Sequence, residues 1–123
     1  MDLRGHSVLL LEDDFNEARD TRHALQHAGA HVIGPFEDSD SALRSIFSVD
    51  PSCAIVDIDL GGGPLFNVAA ALLDRFIPII FVTSIDPKII PREFSQSCVL
   101  EKPVDIQSLL RLTALLSVTR LIS

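Results

Sequence analysis

The chain has 123 residues, 47% of them hydrophobic and 22% charged, which predicts one globular domain over residues 1–123 with a substantial core. Its formal net charge of -7 argues against a protein that holds nucleic acid through its bulk surface, because phosphate neutralisation needs clustered Lys and Arg. The first apolar run has only four residues, too few for a signal peptide or a membrane span, so we expect a cytoplasmic protein without membrane contact.

Short apolar runs alternate with helical patterns along the chain, which is typical of βα units stacked around a parallel sheet. Most runs are apolar at consecutive positions, as expected for strands that are covered on both faces. We predict five strands, at residues 7–12, 31–36, 53–58, 77–83 and 97–102.

The segments between these runs carry apolar residues at helical spacing. The first helical pattern stops at Gly29, a natural C-terminal cap, and the second opens with capping residues. We predict helices within residues 15–29, 38–48 and 64–76, and a leucine-rich last helix from residue 105 to about residue 121.

The crossover before the fifth strand differs from the others because it contains Pro87 and Pro91. It offers one or two helical turns at most, so we predict an irregular or shortened fourth helix. Five parallel strands joined by right-handed crossovers form a doubly wound α/β sandwich. The predicted fold is flavodoxin-like, a (βα)5 arrangement with strand order 2-1-3-4-5.

The two cysteines, Cys53 and Cys98, each begin a short apolar run, where a free thiol usually behaves as a small buried hydrophobe. In the predicted strand order the fourth strand separates them, which argues against a disulfide. They also lack the CxxC spacing of a metal site.

Side chains that could bind a metal or take part in a reaction lie at the carboxyl ends of four of the predicted strands. Ligands of doubly wound sheets bind outside the carboxyl ends of the strands, where the winding reverses, so these residues should share one patch. Carboxylates brought together repel each other, and a hard divalent cation such as Mg²⁺ usually compensates them. The residues are Glu12 and Asp13 at the end of the first strand, Asp57 and Asp59 at the end of the third, Thr83 at the end of the fourth and Lys102 at the end of the fifth.

An aspartate, a hydroxyl and an ammonium group beside a metal are the groups needed to accept a phosphoryl group. The aspartate attacks, the metal and the lysine neutralise the phosphoryl oxygens, and the hydroxyl donates a hydrogen bond. The glycines at 61–63 are expected to let backbone, ion and phosphoryl group approach closely.

These ordered motifs resemble a response regulator receiver domain of two-component signalling, over roughly residues 6–118. The motifs are acids after strand one, Asp after strand three, Thr after strand four and Lys-Pro after strand five. The resemblance implies that Asp57 is the phosphoacceptor, and that Thr83 and Lys102 bind the phosphoryl group. It also implies a cis peptide bond before Pro103.

The resemblance further implies a Mg²⁺ site. Asp13 and Asp57 would be direct ligands, and Glu12 would orient metal-bound water. The backbone carbonyl of Asp59 would complete the metal shell.

The same resemblance implies partners. A histidine kinase or a histidine phosphotransfer protein would supply the phosphoryl group, and the chain would catalyse only its own phosphorylation and dephosphorylation. With no effector domain in the sequence, we expect a stand-alone receiver that signals through protein contacts, although a piece of a larger regulator would look the same. The leucine-rich last helix suggests a homodimer surface.

Two other functions stay open. Asp57 and Asp59 after an apolar strand also fit haloacid-dehalogenase-like phosphatases, with Asp57 as nucleophile. In that family the metal-binding acids follow the Lys, whereas only Asp105 follows Lys102 here. The other alternative is a pseudo-receiver that docks partners without phosphorylation, and the complete set of site residues argues against it.

Two positions depart from the common receiver pattern. Val99 stands three residues before Lys102, where receivers usually carry a Tyr or Phe that rotates inward, which puts the usual aromatic switch in doubt. The Asp59 side chain adds a carboxylate that could steer or repel attacking water and so change the phosphoryl lifetime.

Overall fold

Five parallel strands form the central sheet of the computed structural model, which describes residues 2–59, 66–84, 88 and 90–121. The strands are β1 (Ser7–Leu11), β2 (His31–Phe36), β3 (Cys53–Asp57), β4 (Ile79–Thr83) and β5 (Cys98–Glu101). Their order across the sheet, β2-β1-β3-β4-β5, confirms the predicted flavodoxin-like topology. The glycines at 61–63 lie outside the described residues.

Among the described residues, four α-helices cover the two faces of this sheet. They are α1 (Phe15–His27), α2 (Ser39–Ile46), α3 (Phe66–Asp74) and α4 (Ile106–Leu121). No helix in the described part of the chain combines the length and the apolar character needed to cross a membrane.

The crossover between β4 and β5 has no α-helix among its described residues. Its described residues include a 3-10 turn, Arg92–Phe94, which begins directly after Pro91. This confirms the predicted irregular fourth helix, since a proline lacks the N–H that a continuing helix would need. Pro87 lies outside the described residues.

The sheet is packed between two apolar layers. Along β1, Leu9 and Leu11 face the layer that contains α2, α3 and the 3-10 turn, whereas Val8 and Leu10 face the layer of α1 and α4. This alternation follows from the two-residue period of a strand. Every residue of β3 and β4 is buried. The last residue of each strand, Asp57 in β3 and Thr83 in β4, is the one that brings a carboxylate or a hydroxyl to the carboxyl edge.

Helix α1 starts at the carboxyl end of β1. The Asp14 side chain accepts the N–H of Glu17 at 2.9 Å and so caps the first turn. The chain leaves the helix at Gly29, as predicted, with φ +104°, where a Cβ would lie 2.6 Å from the Arg4 side chain. The cap anchors the first turn of α1, including Glu17, beside the edge at which β3 ends.

Candidate functional site

Asp57 lies at the centre of the candidate site. It ends β3, between β1 and β4, and is 2% exposed. Its Oδ1 accepts the backbone N–H of Asp59 at 2.8 Å, and its Oδ2 lies 3.0 Å from the Nζ of Lys102. A buried carboxylate is costly without such partners, so the lysine and the amide stabilise its charged form.

Lys102 follows β5 and points its ammonium group at several carboxylates. Besides Asp57, its Nζ lies 3.3 Å from Oε2 of Glu17 and 3.6 Å from Oδ2 of Asp59. Burial lowers the pKa of Lys102, but the hydrogen bond and charge of Asp57 outweigh burial and hold the pKa above its usual range. The side chain is therefore a fixed positive charge beside the carboxylate of Asp57.

The backbone at Lys102 has a hydrogen bond to β4 and a cis peptide bond after it. Its N–H donates to the carbonyl oxygen of Thr83 at 2.8 Å, which extends the pairing of β4 with β5 by one residue. The peptide bond between Lys102 and Pro103 is cis, which confirms what the receiver resemblance implied.

Glu12 follows β1 and is 7% exposed. Its Oε2 accepts the backbone N–H of Asp14 at 3.1 Å. Burial and a hydrogen bond with Asp57 raise the pKa of Glu12 well above its usual range. The carboxyl groups of Glu12 and Asp57, with oxygens within 4.8 Å, repel each other when both are ionised. This pair therefore favours a shared proton or a bound cation.

The acidic side chains fit a hard divalent cation. Carboxylate oxygens of Glu12, Glu17 and Asp57 all lie within 4.8 Å of one another, and this is the metal-compatible group that the described residues contain. Oxygen ligands are those Mg²⁺ prefers, with metal–oxygen distances of about 2.0–2.1 Å, so opposite ligands lie about 4 Å apart. The donor set therefore suits Mg²⁺ after a small contraction.

Asp13 lies outside the acidic group that the described residues form, and Glu17 lies within it. Asp13 is exposed and lines a shallow depression with Arg19 and Arg22, rather than joining the acidic group, so its role as a metal ligand stays a prediction. Sequence analysis missed Glu17, which looks like an ordinary residue of a helical first turn. The signal that could have found it is the start of α1 directly after β1, at the edge where Asp57 lies.

Thr83 and Asp59 form a second contact within the site. Thr83 ends β4, is fully buried and donates its hydroxyl to Oδ1 of Asp59 at 2.9 Å. Ser84 donates its backbone N–H and its hydroxyl to Oδ2 of Asp59, at 2.6 and 2.7 Å. Burial alone would raise the pKa of Asp59, but the hydrogen bonds from Ser84 and Thr83 hold it below its usual range.

A cavity of about 230 Å³ opens beside these groups. Glu12, Asp57 and Lys102 line it, together with polar residues of α1 and apolar side chains of the sheet and α4, such as Ile55 and Leu109. A small ligand entering from the carboxyl edge would thus meet a carboxylate with an ammonium group beside it.

Solved structures show what this arrangement is similar to. A response regulator receiver protein from Sinorhizobium medicae superposes with a TM-score of 0.81 at 21% identity, over 97% of this chain and 99% of that one. The chain has the response regulator receiver fold. No protein-family model and no curated protein matches the sequence.

Two further receiver structures are more similar in sequence. The signal receiver domain of a modulated diguanylate cyclase from Desulfovibrio desulfuricans has a TM-score of 0.78 and 29% identity, covering 95% of this chain and 97% of its own. The BeF3-activated conformation of SdrG from Pseudomonas melonis has a TM-score of 0.73 and 28% identity, covering 89% and 95%. The receiver resemblance of the sequence is thereby confirmed.

Within this receiver fold the candidate site lies between β1 and β3, where the strand order reverses, as expected for a doubly wound sheet. The fold brings Glu12 and Lys102 to Asp57, and it brings Thr83 to Asp59. Residues from four strands thus meet at one edge.

Proposed function

We propose that this receiver domain, acting as one unit over residues 1–123, accepts a phosphoryl group on Asp57 in two-component signalling. The observation that carries the proposal is the buried carboxylate of Asp57, which lies 3.0 Å from the ammonium of Lys102 and within 4.8 Å of two further acids. A carboxylate held this way is a nucleophile with charge stabilisation beside it.

The transfer step uses the chain's own residues. One carboxylate oxygen of Asp57 forms a bond to phosphorus, the bond from phosphorus to the donor breaks, and the donor group leaves with that electron pair. Lys102 stabilises the phosphoryl oxygens through its charge, and the hydroxyl of Thr83 donates a hydrogen bond to one of them. The product is an acyl phosphate, which water later hydrolyses.

A Mg²⁺ ion fits the same proposal. Asp13, Asp57 and the backbone carbonyl of Asp59 would hold it with Glu12, and the geometry adds Glu17 as a further candidate ligand. The ion supplies positive charge against the developing phosphoryl charge. The buried carboxylates of Glu12 and Asp57 would hold it in the site.

The proposed partners follow from the receiver fold. A histidine kinase or a histidine phosphotransfer protein in the cytoplasm would donate the phosphoryl group by cleavage of its P–N bond. The domain would then signal through protein contact, without binding nucleic acid or membrane. We also propose a homodimer through α4, which exposes Leu115 and Val118 by 62% and 51%.

Incubation with Mg²⁺ and acetyl phosphate tests the proposal. Intact-mass analysis should show a base-labile phosphoryl adduct on the wild type, no adduct after chelation of Mg²⁺, and none on Asp57→Asn. An equal adduct on Asp57→Asn would overturn the proposal, as would a wild type that stays unmodified with every phosphodonor.

A further inference from the structure

The carboxylate of Asp59 accepts three hydrogen bonds from the two residues at the end of β4. It accepts the Thr83 hydroxyl at 2.9 Å and two bonds from Ser84, at 2.6 and 2.7 Å. The Nζ of Lys102 lies 3.6 Å from Oδ2 of the same carboxylate. The side chain of Asp59 is 15% exposed and Thr83 is fully buried, so the bond between them is shielded from water, whereas Ser84 is exposed. Charge-assisted hydrogen bonds are strongest where water is excluded.

Two of these contacts involve the groups that the proposed function needs for a phosphoryl group. Thr83 would donate to a phosphoryl oxygen and Lys102 would neutralise the phosphoryl charge, yet both already face a carboxylate. A carboxylate and a phosphoryl group are both anions that accept through oxygen, so they compete for the same donors.

We propose that Asp59 is an internal latch that holds Thr83 and Ser84 in the unphosphorylated arrangement and must release them when Asp57 carries a phosphoryl group. This inference rests on the proposed function and adds a positioning role for one side chain. Asp59 acts through Thr83 and Ser84 and does not itself bond to phosphorus.

Charge gives the latch its direction. Phosphorylation adds negative charge at Asp57, whose Oδ1 already accepts the backbone N–H of Asp59 at 2.8 Å. The two anionic groups would then lie side by side and share Lys102. Their repulsion and the lost hydrogen bonds both oppose the phosphorylated state, so the side chain of Asp59 lowers its population.

Beryllofluoride, an unreactive phosphoryl mimic, allows an equilibrium test in the presence of Mg²⁺. We expect Asp59→Ala to bind beryllofluoride roughly tenfold more tightly than the wild type, a factor typical of two coupled sites. Asp59→Asn keeps an acceptor oxygen without the charge, so its affinity should lie between the two. Both variants retain the backbone carbonyl at position 59. The control, Asp74→Asn, loses the same charge at the exposed end of α3 and should bind like the wild type.

A second readout follows the latch without any phosphoryl chemistry. In the wild type the amide proton of Ser84 should resonate downfield in NMR spectra because it donates to a carboxylate, and it should move upfield in Asp59→Ala but not in Asp74→Asn. The latch alone is overturned if the Ser84 resonance does not move in Asp59→Ala. It is also overturned if Asp59→Ala binds beryllofluoride with the same affinity as a wild type that does bind it. A wild type that binds no beryllofluoride but shows the Ser84 shift overturns the proposed function and with it the regulatory role of the latch.

Discussion

At the residue scale, the acidic side chains around Asp57 outnumber the single lysine beside them. Lys102 offers one positive charge, whereas Glu12, Glu17, Asp57 and Asp59 offer up to four negative ones around it. Burial, and then the hydrogen bond and charge of Asp57, raise the pKa of Glu12 above its usual range. A divalent cation would compensate the excess, which is why this edge of the sheet favours Mg²⁺.

Substitution of single acids tests that metal site. Glu12→Gln should weaken Mg²⁺ binding roughly 10- to 100-fold because it removes a buried acidic oxygen, and Glu17→Gln should weaken it less because that side chain is half exposed. The chain contains no Trp or Tyr, so calorimetry is the suitable measurement. Glu93→Gln, in the 3-10 turn, serves as the matched control. Unchanged affinity in Glu12→Gln would remove this residue from the site.

The cysteines allow a second test at this scale. Cys53 and Cys98 are free thiols, as predicted, on strands that β4 separates. Burial raises the pKa of the Cys53 thiol to about 12, which leaves almost no thiolate at pH 8. Iodoacetamide should therefore modify native Cys98 first, and should modify both in denaturant. Rapid labelling of Cys53 in the native Cys98→Ser variant would contradict its burial.

At the element scale, the 3-10 turn between β4 and β5 does more than shorten a crossover. It places Phe94, 2% exposed, against Phe81 and Phe66, with ring centroids 5.7 Å apart in both pairs. Val99 packs against this same cluster. The aromatic rings of this group thus come from the turn, α3 and β4, whereas position 99 in β5 is aliphatic.

Phe94→Ala should lower the free energy of unfolding by about 3–5 kcal/mol, because it removes a buried ring and leaves a cavity between α3 and β4. Urea unfolding followed by circular dichroism measures this loss. Phe15→Ala is the control, since Phe15 is 77% exposed and its loss should cost less than about 1 kcal/mol. A loss of equal size in the two variants would show that Phe94 is not part of the core.

The elements themselves could be predicted from the sequence because each rests on local chemistry. Buried parallel strands need consecutive apolar residues, and the end of each strand delivers its polar residue to one edge. Asp57, Thr83 and Lys102 follow from that rule alone. The caps at Asp14 and Asp38 follow equally from side-chain chemistry.

The rest depends on side-chain direction, which the sequence does not carry. Consecutive residues leaving a strand point to different sides, so Glu12 turns to the buried group while Asp13 turns to the surface. The partners of Asp59 could not be foreseen either, because Thr83 ends a neighbouring strand and Ser84 follows it. Such contacts are set by the tertiary register of β3 and β4.

At the scale of the whole molecule, the two layers of helices leave some apolar surface uncovered. Leu109 and Leu110 of α4 are buried, whereas Leu115 and Val118 on the same helix face solvent. Two leucines of this helix therefore lie in the core, while Leu115 and Val118 are exposed apolar side chains that a partner could cover.

Light scattering tests the proposed homodimer. We expect dimeric mass for the wild type with beryllofluoride and Mg²⁺, and monomeric mass for Leu115→Glu under the same conditions because the charge disrupts the apolar contact. Gln107→Glu, at an exposed position of α4, is the control for added charge on this helix. A wild type that is monomeric with and without the mimic would contradict the dimer.

The central claim is that Asp57, and no neighbouring acid, carries the phosphoryl group. The most direct measurement is reduction of the phosphorylated wild type with borohydride, which converts an aspartyl phosphate to homoserine, followed by peptide mass mapping. We predict homoserine at position 57 only, and none when Mg²⁺ or the phosphodonor is left out. Homoserine at position 13 or 59, or an unmodified Asp57 in a sample with a full phosphoryl adduct, would contradict the account.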